Sequence, residues 1–118
     1  MAAVVFLSSD MTFSSRVLGA AQALGVGCKI AALPAQLPGA VSADCRLVLV
    51  DLGLTGLDMP AAVATIRGAS PLAKVVAFGP HVDETLLASA KAAGCDVVLP
   101  RSQFQKQYVE LLRGAAEA

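Results

Sequence analysis

Asp51 is the residue of this sequence best placed for chemistry. It stands directly after the aliphatic run Leu47-Val48-Leu49-Val50 and before a turn carrying Gly53, Thr55 and Gly56. A carboxylate there would sit at the carboxyl end of a buried strand, where open α/β sheets gather their ligands. The same rule selects Ser8, Ser9 and Asp10 after a first aliphatic run, Gly79 to His81 after a later one, and Pro100 with Arg101 after the last. Arg101 could pair with Asp51, because a planar guanidinium can engage a carboxylate bidentately and stays charged. The competing readings are a turn or helix-approach residue for Asp51 and a surface arginine for Arg101.

Other chemistries find little support. His81 is the sole histidine, and with scattered serines it defines no nucleophile–base pair, so it reads as an exposed loop residue. Cys28, Cys45 and Cys95 are odd in number, far apart, and lack metal-ligand spacing. They read as small buried hydrophobes. No Gly-x-Gly-x-x-Gly follows the first strand, which disfavours a dinucleotide site.

Composition narrows the class further. The chain has 118 residues, 56% hydrophobic and 15% charged, which excludes an intrinsically disordered chain and suits one domain over residues 1–118. Nine basic residues balance nine acidic ones, and aromatics amount to 4%, so neither an electrostatic nucleic-acid or membrane surface nor a base-stacking platform is expected. The longest uncharged stretch, residues 30–43, is shorter than a membrane span and contains two prolines. The apolar start lacks a basic leader, and the expected location is cytoplasmic.

The elements that must position Asp51 alternate in type. Strands are expected over 3–7, 26–33, 47–50, 74–78 and 96–99. Helices are expected over 11–24 after Asp10 or Thr12, from Asp58 through Arg67 with Gly68 as its end, over 83–93 with Gly94 closing it, and from a Ser102-x-x-Gln105 capping box to about Arg113. Phe13, Val17, Leu18, Ala21 and Leu24 share one face of the first helix. Residues 34–42 form a weaker segment with room for a short helix, and the tail from Gly114 is expected to fray. Strands alternating with helices and lacking hairpin signals predict a three-layer α/β/α sandwich. Its five-stranded parallel sheet should follow flavodoxin-like 2-1-3-4-5 order.

Two stretches in this frame resemble the receiver domain of bacterial two-component response regulators (the CheY-like family), a likeness that extends over nearly the whole chain. They are Leu47-Val48-Leu49-Val50-Asp51-Leu52-Gly53, with Asp58 seven residues on, and Gly94-Cys95-Asp96-Val97-Val98-Leu99-Pro100-Arg101. The first looks like the phosphoacceptor strand and loop; the second is similar to the final strand that leads to the family's lysine. The resemblance implies that Asp51 is the phosphoacceptor equivalent and that the carbonyl of Gly53 would help hold magnesium. The acidic pair that chelates magnesium falls on Ser8 and Ser9, the switch hydroxyl on Gly79, the switch aromatic on Val98 and the motif lysine on Arg101.

Those departures point to a degenerate, pseudo-receiver type. Magnesium prefers carboxylates, waters and phosphate in near-octahedral array. Here Asp51 is the only squarely placed acid, with Asp10 a late substitute, so no cofactor is expected and magnesium would bind weakly. Gly79 and Val98 cannot make the contacts that shift the family's populations. The expectation is a non-catalytic, stand-alone signalling domain acting through a protein partner, either a histidine kinase or a downstream effector, or through a homodimer. Leu86, Leu87, Val98, Tyr108 and Leu112 are candidates for its contact face. The alternatives are a response regulator that still accepts phosphate on Asp51, serving a phosphorelay, and a small-molecule-binding or hydrolytic domain on the same sheet.

Overall fold

In a computed structural model of the chain, residues 2–80 and 83–117 are described. His81 falls outside them. The five aliphatic runs form strands β1 (Val4–Leu7), β2 (Cys28–Ala31), β3 (Leu47–Asp51), β4 (Lys74–Gly79) and β5 (Val97–Pro100). They pair in parallel, in the order β2-β1-β3-β4-β5. Between and after them lie helices α1 (Met11–Ala23), α2 (Leu37–Ala40), α3 (Met59–Ala69), α4 (Glu84–Ala92) and α5 (Arg101–Glu117). This is the flavodoxin-like arrangement expected from the alternation of patterns.

Side chains alternate across a strand, so each buried strand feeds two cores. Val5, Leu7, Val48, Val50, Val75 and Ala77 pack with Leu37, Val63, Ile66 and Ala90 from α2, α3 and α4. Val4, Phe6, Leu47, Leu49, Val76, Phe78 and Leu99 face the other way, against Phe13 and Val17 of α1 and Phe104 and Leu112 of α5. Near-continuous aliphatic strands are what a parallel sheet covered on both faces requires. No described helix is long and apolar enough to cross a membrane.

Helix starts follow their capping residues. Asp10, Asp58 and Asp83 each accept a hydrogen bond from the backbone N–H three residues on, at 3.0, 3.1 and 2.9 Å. The cap of α1 is thus Asp10 rather than Thr12. Between β2 and α2, residues 34–36 form a 3-10 turn in which Gln36 Oε1 accepts from the N–H groups of Ala32 (2.8 Å) and Leu33 (3.1 Å). That turn cuts the second strand shorter than the aliphatic pattern suggested. Gly94, at φ +108°, turns the chain from α4 into β5, a conformation that side-chain-bearing residues rarely adopt.

Three expectations at helix ends are corrected. Gly68 lies inside α3, which runs on to Ser70. There the Ser70 N–H donates to Ile66 O at 2.8 Å and the Ser70 hydroxyl donates to Cys45 O at 2.6 Å. The Ser102 capping box does not form, because α5 begins at Arg101 directly after β5 and leaves Ser102 in its first turn. The segment from Gly114 to Glu117 is helical rather than frayed: Ala115 is buried, and its carbonyl accepts from Arg46 Nη1 at 3.3 Å.

At the amino ends of β4 and β5 a single arginine ties three elements together. Arg67, in the last turn of α3, donates to the carbonyl of Ala73, to Gly94 O (3.3 Å) and to Asp96 Oδ2 (2.9 Å). Asp96 Oδ2 also accepts the N–H of Val75 at 2.7 Å. Desolvation pushes the Asp96 carboxyl up. The Val75 hydrogen bond, Arg67 and the charge of Lys74 together more than offset it, leaving the pKa below its ordinary 3.8. A depressed folded-state pKa contributes stability that is present above the unfolded value and lost as pH falls through the folded one. Urea-unfolding midpoints of the wild type and Asp96→Asn should therefore differ at neutral pH and converge in strong acid; a gap that persists unchanged would contradict this account.

Candidate functional site

Strand register brings the candidate residues together. Leu7 lies beside Val50, so Ser8 follows beside Asp51; Asp51 pairs with Phe78, and Phe78 with Leu99. Counting by twos along each strand puts Ser8, Asp51 and Arg101 on the same side as Phe6, Leu49 and Leu99, facing α1 and α5. Three strand ends thus deliver a hydroxyl, a carboxylate and a guanidinium to one point at the sheet's carboxyl edge.

Asp51 is buried, with its side chain 7% exposed, and three donors satisfy it. The Ser8 hydroxyl donates to Oδ2 at 2.7 Å. The Gly53 N–H donates to Oδ1 at 2.9 Å, and Arg101 Nη2 donates to the same oxygen at 3.0 Å. Gly53 matters here for its lack of a side chain, since a Cβ would stand 3.2 Å from Oδ1 and 3.7 Å from Arg101 Nη2. Ser8 is fully buried and its oxygen also accepts the Asp10 N–H at 3.1 Å, which fixes the direction of its proton toward Asp51. Arg101, at 31% side-chain exposure, closes the site from the solvent side.

Arg101 also lies over an aromatic floor. Its guanidinium carbon is 5.3 Å from the ring centre of Phe78, within cation–π range. Phe78 stacks on Phe104 at 4.0 Å between centroids, and Phe104 comes from the same first turn of α5 as Arg101. Phe6, Phe13 and Tyr108 complete the cluster, which holds all five aromatic side chains of the chain. Patterning places Phe13 on the buried face of the first helix, but nothing in it singles out Phe78 as a platform. Its placement one residue before Gly79, at the edge the switch-point rule had selected, was the available signal.

The remaining candidates are spread around this centre. Ser9 is exposed, and Asp10 spends its carboxylate on the cap of α1. Gly79 faces the other layer: a Cβ there would meet Leu52 Cβ at 3.2 Å and Leu87 Cδ2 at 3.6 Å, so leucines fill the space of a side chain. Val98 packs against the core on that same layer. All three cysteines are free; burial pushes the thiols of Cys28 and Cys95 up to about 11 and raises that of Cys45, away from nucleophilic reactivity.

No protein-family model matches the sequence, and no curated protein matches it. Solved structures do. The receiver domain of NtrX from Brucella abortus is 20% identical, with a TM-score of 0.77 over 98% of each chain. The BeF3-activated DrrB receiver domain is 15% identical, with a TM-score of 0.80 over 100% of this chain and 99% of its own. A response regulator protein from Burkholderia pseudomallei, solved with a phosphorylated aspartic acid, calcium ion and citrate, is 16% identical. Its TM-score is 0.74 over 97% of this chain and 68% of its own.

The resemblance to receivers implies magnesium at this edge, and the donors present do not fit it. Both oxygens of Asp51 are engaged, the Ser8 proton points at the carboxylate, and Asp10 is committed elsewhere. Among the described residues, no group of three or more acids, histidines or cysteines could hold a metal ion. Magnesium requires near-octahedral oxygen ligation with at least one carboxylate free to bind.

The pair itself is open to measurement. Arg101→Ala leaves a buried carboxylate short of its counter-charge and should destabilise the fold by up to about 3 kcal/mol. Ser8→Ala should cost about 2 kcal/mol, as expected for a hydrogen bond to a charged group. In a double-mutant cycle, Asp51→Asn and Arg101→Ala should couple by about 1–2 kcal/mol. Additive effects in denaturant unfolding would show that the two side chains do not act as a pair. Topology, register and structural likeness agree: this chain has the response-regulator receiver fold, with a serine-and-arginine-bound aspartate at the carboxyl edge of its sheet.

Proposed function

We propose that this chain is a degenerate receiver that works by protein–protein contact, without magnesium-dependent phosphorylation of Asp51. The observation that carries the reading is the bonding of Asp51: Arg101 and Gly53 hold one oxygen, Ser8 the other. Acceptance of a phosphoryl group needs a carboxylate oxygen free to attack and a cation to stabilise charge on the transferring group. Here both Asp51 oxygens already accept hydrogen bonds, and the cation beside them, Arg101, is engaged by the carboxylate itself.

The output is then a surface. Receiver domains are signalling modules whose partners are kinases and effectors, and on this reading the partner binds the side formed by α4, β5 and α5. Leu86, Leu87, Val98 and Tyr108 are half-buried there and leave part of their apolar surface to a partner. Leu112, expected at the same face, is fully buried in the core and drops out.

Intact-mass analysis after incubation with magnesium and a small-molecule phosphodonor tests the reading, with Asp51→Asn alongside. The expected result is the unmodified mass for both folded proteins. A phosphoryl adduct on the wild type that disappears in Asp51→Asn would make Asp51 a working acceptor and overturn the proposal.

A further inference from the structure

We infer that the cavity between the amino ends of β3 and β4 and the last turns of α5 binds a small organic carboxylate with an apolar body. Leu47 begins β3 and Asp51 ends it, so this cavity lies at the sheet edge opposite Asp51, and the inference stands apart from the proposed function. Its volume of about 280 Å³ is at the small end of the range for small-molecule sites.

Strand register builds one wall. Leu47 pairs with Lys74, and counting by twos from Leu49 and Val76 turns both toward α5. The helix supplies the other wall through Leu111, Gly114 and Ala115, which the spacing of three and four residues sets on one face. Leu47 and Ala115 belong to the buried core, so the floor of the cavity is apolar. A Cβ on Gly114 would meet no atom within 4 Å, so the side chain it lacks leaves open space.

Charge selects the ligand. Arg46 and Lys74 are the cations of the lining, and among the described residues neither forms a salt bridge. Arg46 is held in place by one hydrogen bond, from Nη1 to Ala115 O at 3.3 Å, and keeps its other N–H groups for an incoming acceptor. Glu110, the one acid in the lining, is paired with Arg113; Asp96, whose carboxyl feels the charge of Lys74, is bonded to Arg67 and to the Val75 N–H. A carboxylate matches the guanidinium fork, and an apolar body attached to it would cover Leu47 and Leu111. A bare inorganic anion would meet the cations and leave that apolar floor wet.

The test titrates benzoate into the whole chain and follows backbone amide resonances. Saturable shifts are expected at Leu47, Leu111, Gly114 and Ala115 in the millimolar range. Benzamide, of the same shape without the charge, should bind at least about tenfold more weakly, and so should benzoate to Arg46→Gln/Lys74→Gln. Gly114→Leu should fill the cavity and abolish the shifts, and because leucine favours a helix more than glycine does, α5 keeps its fold. That variant decides the matter if the charge variant does not fold. The inference is overturned if the wild type shows no saturation at these amides, or if benzoate binds Gly114→Leu undiminished. Benzamide or inorganic phosphate binding there as tightly as benzoate would also overturn it, the first by removing the need for charge and the second the need for an apolar body.

Discussion

A buried carboxylate is the constraint around which this molecule is arranged. Asp51 ends a strand whose side chains are all hidden, and a charge in that position is tolerated only when donors surround it. The three donors come from the end of β1, the loop after β3 and the start of α5. Satisfying Asp51 therefore ties the end of β1 and the start of α5 to the end of β3. It also orients Ser8, whose oxygen accepts the Asp10 N–H and so links the carboxylate to the first turn of α1.

The aromatic cluster does the same work from below. A chain with five aromatic residues has gathered all of them between β1, β4, α1 and α5, directly under the ion pair. Large rings bury much area at low entropic cost and prefer offset or edge-on contacts, so this cluster gives the α1–α5 layer defined side-chain positions where aliphatic packing would allow several. Phe78 belongs both to the core and to the floor of the site. Movement of Arg101 away from Asp51 would therefore also remove a cation from the face of a core ring.

Much of this was legible in the sequence, for reasons that can be stated. Leu47-Val48-Leu49-Val50-Asp51 could be placed because four branched aliphatics need cover on both faces, and an acid directly after them must lie at the sheet edge. The Asp58 cap of α3 could be read because an N-cap is a local event, settled within four residues. The ends of α3 and α5 could not. Ser70 stops α3 by bonding to Cys45, and Arg101 draws α5 back to the end of β5 by bonding to Asp51, contacts between residues 25 and 50 positions apart. Gly68 and Ser102 carried local signals that these distant contacts overrode. Pairing of Asp51 with Arg101 was legible as an option from charge and topology. That Ser8 would be the second donor was not, since a serine in a small-residue loop gives no sign of its partner.

Receiver-type signalling requires two states that a modification can tell apart, and the proposed reading turns on the packing around Gly79 and Val98. A population shifts only if one conformation gains contacts the other lacks. At Gly79 the space for a side chain is filled by Leu52 and Leu87, and Val98 packs into the same layer, so a phosphoryl group on Asp51 would find no hydroxyl to draw inward and no aromatic to swing. These leucines also brace α4 against β4 on the layer opposite the ion pair. Arg101 fixes α5 on one layer while Leu52 and Leu87 fix α4 on the other, and β5 lies between them. On the proposed reading, these contacts hold the face formed by the three elements in the arrangement that a phosphorylation-independent partner would bind.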